Sequence, residues 1–551
     1  SLGSRGLGDV YKRQMYKIKL VQENPKVGDI QGNLDLAKSH ITEAKDKGLD
    51  LIIFSEMFLT GYPPEDLLLR QDFLDESERC CRELEGLSKE ISIIIGCPSR
   101  EGENIFNSAL FYQNGKIVKN YKKQILPNYK EFDEKRYFLK GEAHEVFEDG
   151  GLKFGISICE DIWNADFTKE VCNQDIDLLI NLSASPFTLD KKNLREEMLC
   201  NYFTKFKKPI IYVNQVGGQD ELVFDGSSLV VDSKDTVKRL KSFETDQAVI
   251  EIEDNNISTS LKGDQISKVG DISDIYKALV LGTRDYVQKN NFKGILIGSS
   301  GGIDSALTAA IASDALGPDK VNTVMMPFKY TADISVEDAQ QLAENLGFTH
   351  EVIPISEMFS AFKNSLDGKL EPREFDKTEE NLQSRCRGVT LMALSNNLGY
   401  LVLTTGNKSE AAVGYSTLYG DTAGGFSVLR DVYKTTVYDL ARYRNSLSKA
   451  IPQRIIDREP SAELSEDQKD SDSLPTYDLL DPIIEAYVED DKTKKEIIDS
   501  GFNSEDVKKV IDLINFNEYK RRQVPLGIKI SARNFGKDRR YPITNFWKNN
   551  I

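Results

Sequence analysis

Apolar and polar positions run in two different rhythms along the chain, and the rhythm changes between residues 254 and 272. Before the change, short apolar runs alternate with helical segments. Residues 50–55 (DLIIFS) and 91–97 read as buried strands. The first follows a helix with Leu34, Ala37, Ile41 and Ala44 on one face and Gly48 at its end. Residues 108–113 and 116–123 flank Asn114-Gly115, the strongest short hairpin signal. Further strands are predicted at 153–159, 177–183, 209–215, 226–232 and 247–253. Hairpins mixed with helices predict sheets covered by helices, an α+β sandwich.

Residues 254–272 are polar and weakly patterned and read as a linker. Beyond them the rhythm is regular βαβ. Strands are predicted at 294–298, 321–326, 351–355 and 400–405, and helices at 305–316, 335–346 and 378–398. Ser335 with Asp338 three residues on reads as a capping box for the second helix. This pattern predicts an α/β, doubly wound parallel sheet, whose ligands sit at the carboxyl ends of the strands. Residues 461–475 form an acidic, Ser-rich loop. The domain plan is therefore 15–253, a linker at 254–272, and 273–551. Residues 1–14 are Gly-rich and basic, lack the apolar core of a signal peptide, and read as a non-native or disordered leader before Met15.

A chain of 551 residues has room for two to four domains, at ~100–200 residues each. The formal charge, 71 − 88 = −17, disfavours a nucleic-acid partner. No run approaches the ~20 apolar residues of a membrane span. Seven Cys, without a C-x-x-C pair, are too few for a disulfide scaffold and fit a reducing cytoplasm. Three His (His40, His144 and His350) leave little for an imidazole-based triad.

Candidate chemistry collects at strand ends. Cys159 closes the run KFGISIC, Glu56 closes LIIFSE, and Lys123 lies in YKKQILP. Taken singly, each has an ordinary reading as a core thiol, a solvated cap or a surface lysine. Together they supply a thiolate nucleophile, a carboxylate base and an ammonium for an oxyanion, and a cation beside the sulfur favours thiolate. The segments FSEMFLTGYPPEDL, YKKQILPNYKEFDE and GISICEDIW resemble the nitrilase superfamily of amidases over ~15–255. That resemblance implies an αββα sandwich and a triad of Glu56, Lys123 and Cys159. It places Glu131 as a further carboxylate that positions the triad, and Tyr129, Glu160, Ser185 and Lys191 around the charged end of a glutamine substrate. Some relatives have Arg at the position of Lys191, and Lys lacks the bidentate fork.

The second constellation is Gly298-Ser299-Ser300-Gly301-Gly302-Ile303-Asp304-Ser305, which follows KGILIG and opens a helix. Glycines let backbone N–H groups approach an anion, and a helix N-terminus favours negative charge. It is neither a Walker A loop nor a Gly-x-Gly-x-x-Gly fingerprint. SGGIDS resembles the PP-loop ATP pyrophosphatases, which form adenylates and release pyrophosphate on a Rossmann-like sheet.

TEENLQSRCRG, TGNKSEAAVGYSTLYGD, SAELSEDQKDSDSLPTYDLLD and EYKRRQVPLGIKISARNFGKDRRYPI are similar to the NAD synthetases. With the amidase motifs, the chain resembles the glutamine-dependent NAD synthetases over nearly all of 15–551, departing at Phe328-Lys329, where relatives more often have Ser-Arg. The resemblance implies ATP at residues 298–305 and Thr405, and Mg²⁺ on Asp304 and Glu410. It implies deamido-NAD at Asn381, Glu410, Asp421 and Lys520, with Lys434 carrying the charged intermediate. The roles of Arg385 and Arg387 stay open. It also implies a homo-oligomer built on the synthetase domain. The open alternative is an amidase-fused synthetase acting on another carboxylic acid.

Overall fold

A computed structural model describes residues 15–551 except 143, 234–235, 254–255, 262, 266–270, 372–375, 467, 473, 546 and 548–551. The proposed leader, residues 1–14, lies outside the described residues.

The N-terminal part is built on two seven-stranded mixed sheets. The first runs Asn256–Thr259, Asp246–Glu253, Tyr16–Gln22, Leu51–Ile53, Ser92–Glu101, Asn104–Gln113 and Lys116–Lys122. The second runs Gly263–Gln265, Thr236–Arg239, Leu229–Val231, Ile210–Asn214, Leu178–Ser183, Leu152–Ile158 and Val146–Asp149. Side chains alternate across a strand, so each strand feeds two cores. Ile53 and Ile94 point to the second sheet and join Phe154, Ile180 and Val213. Their neighbours Ile52, Ile93 and Ile95 face outward onto Leu34, Ala37, Ile41 and Leu84 of the helices Ile30–Asp46 and Gln71–Leu87. Helices Ala165–Cys172 and Lys191–Phe206 cover the second sheet through Phe167, Val171 and Leu199. The result is a four-layer αββα sandwich, the arrangement expected.

Part of the segment read as an irregular linker is regular. Residues 256–259 pair antiparallel with 246–253, and 263–265 pair with 236–239, so each sheet gains an edge strand. An edge strand half open to water needs no apolar run, which is why its polar sequence reads as a loop.

The C-terminal part has a five-stranded parallel sheet ordered Thr349–Val352, Val321–Met325, Ile295–Ser299, Leu401–Thr404 and Phe426–Ser427. The order reverses between Ile295–Ser299 and Leu401–Thr404. A crevice must open at the carboxyl ends of those two strands, because their following connections leave to opposite faces. Helices Ile272–Lys289, Ile303–Leu316 and Lys434–Leu447 pack on one face, while Phe359, Cys386 and Leu391 pack on the other. The expected capping box at Ser335 does not form. The helix begins at Asp333, Ser335 Oγ donates 2.7 Å to Glu463, and Asp338 pairs with Arg454. Tertiary partners outside the helix outcompete the local motif for both side chains.

The two parts meet at helix Ile272–Lys289. Asp285 accepts hydrogen bonds from Asn24 Nδ2 and Gly218 N, both at 2.7 Å, and Lys289 donates to the Gly218 carbonyl at 2.7 Å. A Cβ on Gly218 would stand 3.0 Å from the Gly282 Cα, so the close approach depends on small residues.

Candidate active sites

Three strand ends converge on the first site. Cys159 follows Leu152–Ile158 and opens the short turn Cys159–Trp163 with φ +43°, a left-handed conformation that costs a non-glycine residue energy. Asp161 holds the turn. Its buried carboxylate accepts from the backbone N–H groups of Ile158 (2.9 Å), Gln124 (3.0 Å) and Ile125 (2.7 Å), and from Tyr121 OH (2.8 Å). The same carboxylate therefore fixes the Cys159 turn and the segment after Lys123.

Glu56 is fully buried beyond the strand Leu51–Ile53. Its Oε1 accepts from Lys123 Nζ and Asn107 Nδ2, both at 2.8 Å, and its Oε2 from Ala184 N at 2.8 Å. Lys123 donates equally to Glu134 Oε1 at 2.8 Å, and Tyr62 OH donates to the same oxygen at 2.9 Å. Burial opposes the Lys123 charge, but Glu134 and Glu56 outweigh it and hold its pKa above the ordinary value. The lysine is therefore a fixed cation.

One expectation is corrected here. The carboxylate that braces Lys123 is Glu134, not Glu131, whose Oε2 lies 2.6 Å from Lys529 Nζ. The two differ by one turn of a loop in YKEFDEKR, so the motif alone left the choice to resemblance. As expected, the Lys123 and Lys191 cations draw the Cys159 thiol toward thiolate. Burial and then Glu56 push the Cys159 thiol up, beyond what Lys123 and Lys191 offset. The carboxylate that opposes thiolate is also the one able to take the thiol proton.

The other expected residues surround this centre. Tyr129 OH donates to Glu160 Oε1 at 2.7 Å. Ser185 is fully buried, its N–H donates to Asn214 Oδ1 at 2.9 Å, and its hydroxyl lies against the Tyr212 hydroxyl. Lys191 lies 5.6 Å from the Phe132 ring centroid. Burial lowers the Lys191 pKa, with Cys159 and Glu131 opposing. A donor-rich recess with the Lys191 ammonium can take a small zwitterion beside the sulfur.

The second site opens at the switch point of the parallel sheet. Residues 298–305, Thr405, Glu410, Asp421 and Lys434 line one cavity of about 280 Å³. Gly301 has φ +74°, and a Cβ there would meet the Ser335 carbonyl oxygen at 2.3 Å. Glycine is therefore required both for the turn and for the approach of the next helix. Ser300 N and Gly302 N donate to Ser305 Oγ and Ser300 Oγ, each at 3.2 Å, which fixes the loop before the helix Ile303–Leu316.

Asp304 Oδ2 lies 2.5 Å from Lys434 Nζ, and Glu410 Oε1 lies 3.5 Å from the same nitrogen. Burial and then Asp304 push the Glu410 carboxyl up to about 8, against Lys434. Asn407, absent from the expected set, links the two elements: its Nδ2 donates to Asp304 at 2.8 Å and its Oδ1 caps Glu410 N at 2.9 Å. The Asn-x-x-Glu spacing in TGNKSE is a capping-box signal that could have found it. Asn381 and Lys520 stand one layer back. Asn381 accepts from Thr417 Oγ1 at 2.9 Å, and Lys520 donates to the carbonyls of Gly414 (2.8 Å) and Ser416 (2.9 Å). Arg387 lines the cavity and donates to the Met326 carbonyl at 3.0 Å.

One chain thus holds a buried thiol beside a carboxylate–ammonium pair and a glycine loop at a sheet switch point, the layout of a two-centre enzyme. A family model for carbon-nitrogen hydrolases matches residues 17–253, and one for NAD synthases matches 275–524. The glutamine-dependent NAD(+) synthetase of Acinetobacter baylyi is 47% identical over 538 residues, covering 97% of this chain and 99% of the relative. That of Thermotoga maritima is 43% identical over 570 residues, with 97% and 99% covered. The solved glutamine-dependent NAD+ synthetase of Acinetobacter baumannii, in complex with ADP, superposes with a TM-score of 0.78 at 43% identity, covering 98% of this chain and all of that one. The chain belongs to the glutamine-dependent NAD(+) synthetase family, ligases that form carbon–nitrogen bonds.

Proposed function

We propose that the chain amidates deamido-NAD to NAD⁺ in two half-reactions, with Glu56, Lys123 and Cys159 freeing ammonia from glutamine and the switch-point loop activating the acceptor. Glu56 takes the Cys159 proton as Sγ attacks the glutamine side-chain carbonyl. Lys123 stabilises the oxyanion. The proton passes to the leaving nitrogen, ammonia departs, and water then cleaves the thioester to release glutamate. Tyr129, Glu160, Ser185 and Lys191 hold the substrate's charged end. The Tyr129–Glu160 hydrogen bond, next to Cys159 in the chain, supports that reading.

At the second site, residues 298–305 and Thr405 bind ATP. A nicotinate carboxylate oxygen of deamido-NAD attacks the α-phosphorus and pyrophosphate leaves. Ammonia then attacks the acyl carbon and displaces AMP. Lys434 balances charge at the reacting phosphate, Asp421 borders the acceptor, Lys520 holds the Gly414–Ser416 turn behind it, and Asn381 positions the loop through Thr417.

The donor set suits Mg²⁺. Asp304 and Glu410 present hard carboxylate oxygens to one cavity, where burial and then Asp304 hold the Glu410 carboxyl up. When bound, Mg²⁺ supplies Lewis-acid neutralisation of phosphate charge. Seven Cys in 551 residues, without a C-x-x-C pair, support a reducing, cytoplasmic setting. Val389 and Met392, exposed on helix Thr378–Leu398, support a homo-oligomer through the synthetase domain.

The carrying observation is the convergence of Gly301, Asp304, Glu410 and Lys434 on one cavity in a chain that also buries Cys159 beside Glu56 and Lys123. The test is incubation of the protein with deamido-NAD, ATP, Mg²⁺ and glutamine. NAD⁺, AMP, pyrophosphate and glutamate should appear together. Glutamine hydrolysis with no NAD⁺ under any nitrogen supply would contradict the acceptor.

A further inference from the structure

One buried cation crosses from the synthetase part into the amidase site. Lys529 is 1% exposed. Its Nζ lies 2.6 Å from Glu131 Oε2 and 2.7 Å from Asp538 Oδ2. Its backbone is fixed from both parts. Lys529 N donates to the Glu221 carbonyl at 2.8 Å, and the Ile530 carbonyl accepts from Leu189 N at 2.9 Å, two residues before Lys191. On the other side, Ile530 N and Ser531 N donate to the Asp431 carboxylate at 2.9 and 2.8 Å. Asp431 is itself paired with the fully buried Lys408 at 2.8 Å.

Glu131 thus has two cations within reach. Lys529 is in contact with it, and Lys191, in the recess beside Cys159, is its neighbour at longer range. A carboxylate this buried is costly without a paired cation, so Glu131 turns to whichever ammonium is present. Lys191 already sits over Phe132, on the same loop as Glu131.

Resting on the assignment of Lys191 to the glutamine α-carboxylate, we infer that Lys529, supplied by the synthetase domain, is a positioning residue of the amidase site. It holds Glu131 away from Lys191 and so leaves the Lys191 ammonium free for substrate. The sulfur chemistry does not pass through it, so its loss weakens glutamine binding without altering the turnover of bound substrate.

The test is glutaminase kinetics on the full chain, with ammonium-driven NAD⁺ formation as the check that the synthetase part is folded. Lys529→Met should raise KM for glutamine by about tenfold or more and change kcat by less than about threefold. Lys529→Arg, which keeps the charge, should stay near wild type. Glu131→Gln combined with Lys529→Met should recover KM to within about threefold of wild type, because no carboxylate is left to capture Lys191. A merely structural lysine gives no such recovery. The inference is overturned by an unchanged KM in Lys529→Met, by a double variant no better than the single one, or by an Arg variant as impaired as Met. Should Lys529→Met also lose ammonium-driven synthesis, the Arg variant and the double variant decide by the same criteria. Failure of wild type to hydrolyse glutamine, or hydrolysis surviving in Cys159→Ala, would instead sink the underlying site assignment.

Discussion

The Lys123 ammonium lies as close to Glu134 Oε1 as to Glu56 Oε1, 2.8 Å in each case. One buried cation is shared by two buried carboxylates, and Glu56 is the one whose charge acts on the Cys159 thiol that must be deprotonated. Glu134 restrains the lysine from collapsing wholly onto Glu56.

Glu134→Gln should therefore lower glutamine-dependent turnover by roughly a hundredfold, the order expected when a catalytic group is misplaced by about an ångström. Ammonium-driven NAD⁺ synthesis should persist. Steady-state assays with the two nitrogen sources check the split, and equal losses in both would contradict it.

Glu134 also sets a pH dependence. Burial, against Lys123 and with Glu56, pushes its carboxyl from an ordinary 4.5 up to about 7. The folded protein then binds more protons than the unfolded chain between those values, so stability falls as pH rises across that window and levels off above it. Thermal midpoints from pH 5 to 8 should decline more steeply in wild type than in Glu134→Gln. Parallel profiles would show that Glu134 does not carry the slope.

Asp161→Asn places donor hydrogens against a carboxylate's worth of N–H and O–H donors. Leaving buried donors unmet costs about 1–3 kcal/mol each at most sites, so the midpoint should drop and glutaminase activity should fall with it. Calorimetry paired with the glutaminase assay tests this. An unshifted midpoint would mean the turn does not depend on Asp161.

Gly301→Ala should disable synthesis from glutamine and ammonium alike, raising the ATP KM at least about tenfold, because the added Cβ collides with backbone at a positive φ. Glutamine hydrolysis measured alone should continue. Near-normal ATP affinity would show that the loop can move away from Ser335.

Much of this was legible before any coordinates. Glu56 and Cys159 could be placed because each terminates an apolar run, and the phosphate loop because strand, glycines and helix adjoin in sequence. The parallel sheet follows from the βαβ rhythm, whereas its strand order, which dictates where the crevice opens, comes from the fold. Residues chosen by long-range packing were hidden. Glu134 and Glu131 share one loop, and only the fold decides which meets Lys123. Lys529 finds Glu131 almost 400 positions away, and nothing local in GIKIS announces a buried ion pair. Ser335 looked like a cap because the motif is local, yet Glu463 and Arg458 claim its hydroxyl.

The central claim is that ammonia made at Cys159 serves chemistry at a separate site, and Cys159→Ala tests it most directly. With deamido-NAD, ATP and Mg²⁺, the variant should form NAD⁺ from ammonium at close to the wild-type rate and form none from glutamine. NAD⁺ from glutamine in that variant, or loss of the ammonium reaction in a protein that remains folded, would contradict the account.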